Sequence, residues 1–230
     1  MSLVIALKVN EGIVLASDQR GIIGDPNGPI CTDDAQVKLL TFKGGAVAMT
    51  GMVGHIALPL ETAVSRIEHE DIDPLDAIRM TLTDYSVRYW PSKADRPDAN
   101  LIVATARGGV FRTVIMNAER NFVPHIITRA CQAIGMTQYV MYLYRQMWRD
   151  DLTLDAATRL AAFMIHETSK MDGKVGPNPV IVHITKDAVC AVPEAQIANI
   201  IAANNAHVTS FAATFFGNQR APFSQVGPST

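Results

Sequence analysis

Residues 2–20 read SLVIALKVNEGIVLASDQR, Ser2 to Arg20, and the fold is decided here. Leu3 to Val9 and Ile13 to Ser17 are apolar runs joined through Asn10-Glu11-Gly12, a composition that closes a hairpin. The chain therefore opens inside a sheet. Asp18 and Arg20 end the second strand, and residues two apart in a strand face the same side, so both charges are expected at one site. From Gly21 to Gln36 the dense turn signals of Gly-Ile-Ile-Gly-Asp-Pro-Asn-Gly-Pro predict a long loop. A second strand pair, Lys38 to Phe42 and Ala46 to Thr50, follows around Gly44-Gly45.

Beyond Gly51 the period changes. Leu60, Ala63, Val64 and Ile67 recur at helical spacing, as do Leu75, Ile78, Leu82 and Tyr85 after an Asp73-Pro74 start signal. Leu101 to Ala104 and Val110 to Ile115 restore strands, with a third short strand expected near Phe122 to Pro124. Thr137 to Trp148 and Leu154 to Met171 read as a second helix pair. Val180 to Thr185 and Val189 to Val192 close the sheets before a last helix begins at Pro193. Segregated strand pairs and helix pairs point to α+β layers. We expect one domain over 1–205 and a C-terminal tail at 206–230.

The 230 residues carry 20 basic and 22 acidic side chains, a net charge of -2, so bulk charge offers no attraction for nucleic acid or an anionic membrane. Cys31, Cys131 and Cys190 are odd in number and widely spaced, which argues against a disulfide framework and a zinc site and fits a reducing, cytoplasmic setting. Ala195 to Gln219 has no charged side chain, but Asn199, Asn204, Asn205 and His207 would be costly in hydrocarbon, so it reads as a helix followed by an apolar tail.

Common catalytic signatures are missing. His166-Glu167 lacks a second histidine four residues on, and His69 to Asp73 lacks the glycine and closing glutamate of a calcium loop. No phosphate-binding loop and no G-x-S-x-G occur. His183, between Val182 and Ile184, reads as a core histidine. No metal or cofactor is expected.

Removal of Met1 would leave Ser2 with a free amine beside its hydroxyl. A serine hydroxyl needs a base to take its proton, and an α-amine with a pKa of about 7.7–8.0 can do so near neutral pH. No segment that reads as a propeptide precedes the strand, so loss of Met1 alone is expected to expose Ser2. Lys38, paired with Asp18, would place a fixed positive charge beside that nucleophile. Solvated ion pairs at strand ends account for the same charges.

Ser2, Asp18-x-Arg20 after Gly-Ile-Val-Leu-Ala-Ser, Val37-Lys38 and Thr50-Gly51-Met52-Val53-Gly54, in this order and spacing, resemble the N-terminal-nucleophile hydrolases of the proteasome β-subunit type, in the 20S proteasome and its bacterial counterparts. The closing Pro179-Val-Ile-Val-His-Ile-Thr-Lys strand and Val192-Pro-Glu-Ala-Gln-Ile helix start are similar as well. The resemblance implies a four-layer αββα sandwich of two antiparallel sheets between helix layers, and a peptidase subunit acting on peptide or unfolded polypeptide. It implies Ser2 as nucleophile, Lys38 tuning it, Asp18 orienting Lys38 and Arg20 bracing Asp18. Gly51 would supply the oxyanion N–H, Met49 and Val53 would line the substrate pocket, and Asp172 would stand near the amine. A tight turn explains Gly51 and a core position explains Met49 equally. Ser2 and Lys38 are expected to be removable with little loss of folding.

The family's two serines near the amine are replaced here, with Ala133-Ile134-Gly135 at one place and Val175 at the other. That leaves a weak peptidase, a small-amide hydrolase or acyl transferase, and a silent ring-forming subunit as alternatives. The resemblance further implies a homo-oligomeric ring and leaves room for a ring ATPase activator.

Overall fold

The computed structural model describes residues 2–23 and 31–216. β1 (Leu3–Val9) and β2 (Gly12–Asp18) form the expected hairpin, with Val4 opposite Ser17. β3 (Gly21–Ile23) and β4 (Cys31–Asp33) pair antiparallel where the turn composition predicts only loop; 24–30 lie outside the described residues. β5 (Leu39–Phe42) and β6 (Gly45–Gly51) make the second hairpin. Helices α1 (Val53–His69) and α2 (Pro74–Tyr89) follow, the latter started by the Asp73 carboxylate accepting from Leu75 N–H at 2.9 Å.

β7 (Ala99–Arg107) and β8 (Val110–Asn117) match the next expected strands. The third short strand is displaced: β9 is His125–Ile126, while Phe122 turns inward as a buried residue at φ 55°. β10 (Cys131–Gly135) lies along β1 with Leu3 opposite Gly135, a strand that no alternation announces. α3 (Thr137–Met147), α4 (Leu154–Met171), β11 (Pro179–Ile184), β12 (Val189–Ala191) and α5 (Glu194–Phe216) complete the order. α5 continues through 206–216, the first part of the stretch read as tail. Among the described residues no helix is long and apolar enough to cross a membrane.

Among the described residues the main sheets are five-stranded, ordered β10-β1-β2-β11-β12 and β5-β6-β7-β8-β9. The near-continuous apolar run of β1 is explained by burial on both faces. Leu3, Ile5 and Leu7 pack with Val140 of α3 and Ala161 and Ile165 of α4, while Val4 and Ala6 meet the second sheet. That sheet sends Ala46, Ala48, Ile102 and Ala104 inward and Val47, Met49, Leu101 and Val103 outward against α1 and α2. Alanines let the sheets approach closely. Each fully buried Leu or Ile contributes about 1.5–3 kcal/mol. The result is the expected αββα sandwich, an α+β fold.

Candidate active site

Strand pairing carries Asp18 to the end of β2, opposite Pro179 of β11, where it is 0% exposed. Its Oδ1 accepts from Leu3 N–H at 2.8 Å, and its Oδ2 accepts from Arg20 N–H at 3.0 Å and Gly176 N–H at 2.9 Å. The Lys38 ammonium donates to the same two oxygens at 3.1 and 3.0 Å and to the Arg20 carbonyl. A bond from Met49 N–H to Lys38 O at 2.9 Å extends the β5–β6 ladder by one residue and fixes Lys38 in strand geometry. Three main-chain donors and an ammonium thus compensate a carboxylate removed from water. Burial pushes the Lys38 pKa below the usual lysine range, and the Asp18 charge opposes that shift.

Because Asp18 Oδ1 holds both the Ser2–Leu3 peptide N–H and Lys38, the buried charge pair sits at the foot of Ser2. The Ser2 carbonyl accepts from Met136 N–H at 3.1 Å. Gly135 permits this approach: its φ is +88°, and a Cβ there would stand 1.8 Å from the Ser2 oxygen. Ser2 opens onto a cleft of about 550 Å³, walled also by Gly51, Val53, His55, Gln36 and Lys174. Gly51 has φ +93°, and a Cβ would meet the Asp98 carbonyl at 2.2 Å. Asp98 O also accepts from Met52 N–H at 2.7 Å, which fixes the turn from β6 into α1. His55 stands edge-on to Trp90, with ring centroids 5.5 Å apart.

Several expected placements change. The Arg20 guanidinium does not brace Asp18; it forms two bonds to Asp34, at 2.6 and 2.7 Å, and one to the Gly173 carbonyl at 2.9 Å. Arg20 supports Asp18 through its main-chain N–H instead, because the side chain leaves the strand toward the 31–36 segment. Met49 is buried beneath α1 with Val47 and Val53, away from the cleft walls, since α1 covers that sheet face up to the end of β6. Asp172 Oδ1 accepts from Lys174 N–H at 2.9 Å and its carbonyl from Val175 N–H at 3.0 Å, closing the turn after α4. Ile134 lies between the sheets and Val175 in the core under α4. The processing of Met1 concerns a residue outside the described ones. Asp34, Gly135, Gly176, Gln36, His55 and Lys174 were not singled out. Only Asp34 had a readable signal, as a counter-charge for Arg20.

No family model matches the chain, and no curated protein matches it. Solved structures do. An Anbu structure from Pseudomonas aeruginosa, described as a helical assembly of the Anbu complex, superposes with a TM-score of 0.73 at 18% identity over 98% of this chain and 100% of that one. Anbu from Yersinia bercovieri, described as an ancestral beta-subunit, gives 0.71 at 15% over 98% and 100%. Anbu from Hyphomicrobium sp. strain MC1 gives 0.69 at 16% over 95% and 99%. The architecture is that of the Anbu proteins. At these identities the likeness to Anbu is one of fold. It corrects the sequence resemblance: these structures are Anbu proteins, proteasome-like but a distinct family, and the likeness gives no support to a 20S or bacterial proteasome β-subunit.

Proposed function

We propose that this chain, after loss of Met1, is an amide-bond hydrolase of the N-terminal-nucleophile kind, attacking peptide carbonyls with Ser2. The observation that carries the reading is the buried Asp18–Lys38 pair at the foot of Ser2, beside a cleft that Gly51 borders. In this reading the Ser2 amine takes the hydroxyl proton as Oγ attacks the carbonyl carbon. The Lys38 charge favours the neutral amine and stabilises negative charge on the Ser2 oxygen, and the Gly51 N–H receives the developing carbonyl oxyanion. The protonated amine then returns its proton to the leaving nitrogen, and water releases the acyl group from Ser2 by the reverse sequence. Asp18 keeps Lys38 in place and charged.

Copies of the chain associate in this proposal, by analogy with the Anbu structure described as a helical assembly; a closed ring is the other arrangement that repeats one contact. Native mass spectrometry at micromolar concentration tests this, and a monomer refutes it. A second reading, a subunit that assembles without catalysis, is favoured by Ile134 and Val175, apolar side chains spent in the core that offer the Ser2 amine no hydroxyl.

Intact mass after incubation with a peptide α',β'-epoxyketone separates the two. The warhead needs a hydroxyl and a free amine on one terminal residue. A chain lacking Met1 that gains one inhibitor mass, with no gain in Ser2→Ala, supports catalysis. Retained Met1 or an unlabelled wild type removes it.

A further inference from the structure

Arg20 joins the segments that build the site. Its main chain holds Asp18 through N–H and Lys38 through C=O, while its side chain bridges Asp34 and the Gly173 carbonyl. Gly173 belongs to the turn whose Gly176 N–H supports Asp18 and whose Lys174 walls the cleft. A guanidinium donating to a neutral carbonyl is held in place more firmly when a counter-charge fixes its other edge, and Asp34 supplies that charge in the bidentate geometry arginine favours. Asp34 is itself anchored. Asp33 Oδ1 accepts from Ala35 N–H at 2.9 Å, and Gln36 N–H donates to Gln19 O at 3.1 Å. Among the described residues, the other carboxylate that attracts Arg20 is Asp18, already committed to Lys38.

We infer that Asp34 is a positioning residue for the Ser2 reaction: through Arg20 it fixes the 172–176 turn and keeps the Arg20 charge from competing with Lys38 for Asp18. This rests on the function proposed above. The Arg20 and Asp34 side chains are 19% and 42% exposed, so the pair lies at the surface, outside the buried core on which folding depends. Variants at Asp34 therefore fold, and an effect on the reaction can be read separately.

The test uses the full chain as wild type, Asp34→Asn and Asp34→Glu, comparing hydrolysis of a fluorogenic peptide at pH 8, amide hydrogen exchange over 172–178 and the melting temperature. Asp34→Asn is expected to lower kcat about tenfold with KM within about twofold, because the reacting groups and not the substrate site are displaced. Exchange at 173–176 quickens in Asp34→Asn, the melting temperature holds, and Asp34→Glu recovers most of both signals. Unchanged kcat and exchange in Asp34→Asn, or a Glu variant as impaired as Asn, overturns the inference. If the wild type shows no Ser2-dependent turnover, the proposed function fails and the role of Asp34 in the Ser2 reaction falls with it, while hydrogen exchange still decides whether Asp34 fixes the 172–176 turn: faster exchange in Asn but not Glu supports that contact, and unchanged exchange refutes it.

Discussion

Replacing Lys38 by methionine keeps most of the aliphatic volume and removes only the ammonium. The structure makes this far more damaging than the sequence implies. Lys38 is 2% exposed and Asp18 0%, so the pair belongs to the interior and not to a solvated strand end. Methionine leaves the Asp18 carboxylate buried without its ammonium, and the Arg20 carbonyl loses the same donor. Removing one partner of a buried pair typically costs about 3–5 kcal/mol, against a total of about 5–15 kcal/mol for a domain. At about 2–4 °C per kcal/mol for a chain of this size, the melting temperature should fall by about 6–20 °C. Circular dichroism melts at matched protein concentration measure this, because association raises apparent stability by mass action. The expectation that Lys38 is removable with little loss of folding is corrected accordingly. A Lys38→Met melt within 2 °C or so of wild type would mean that Asp18 reaches water or another cation, and the burial argument would fail.

Gly135→Ala should lose both stability and epoxyketone labelling: a left-handed non-glycine costs about 1–3 kcal/mol, and its Cβ would displace the Ser2 carbonyl. Wild-type labelling in that variant would show that Ser2 is not held by this contact. Turnover of generic peptides should be weak at pH 7 and rise with pH as the terminal amine, with an ordinary pKa of about 7.7–8.0, loses its proton; a rate falling over that interval refutes the amine as base. Burial pushes the Cys131 thiol up to about 12, so iodoacetamide at pH 8 should modify exposed Cys31 well before Cys131. Equal rates, read by peptide mapping, would place Cys131 outside the core.

Periodicity made the two main hairpins, the helix pairs and the closing strands legible, because alternation and helical spacing are local consequences of burying one face. The hairpin register alone sets Asp18 beside the Ser2–Leu3 peptide. Apolar residues on both faces of β1 also agreed with a strand covered from two sides. These features need only neighbours along the chain.

Other features required the folded chain. β10 is short and without alternation, and it becomes a strand because β1 offers it an unpaired edge; β3 and β4 pair across a stretch whose composition reads as turn. Gly176 reaches Asp18 across 158 residues, and it does so through a main-chain N–H that any non-proline residue possesses, so no side chain marks it in the sequence. Met49 and Gly51 share a strand face, yet α1 covers the first while the second borders the cleft. The order of segments in space sent the Arg20 side chain to Asp34 and left Asp18 to Lys38. Burial and long-range hydrogen bonding depend on which segments meet, and the tertiary structure sets those meetings.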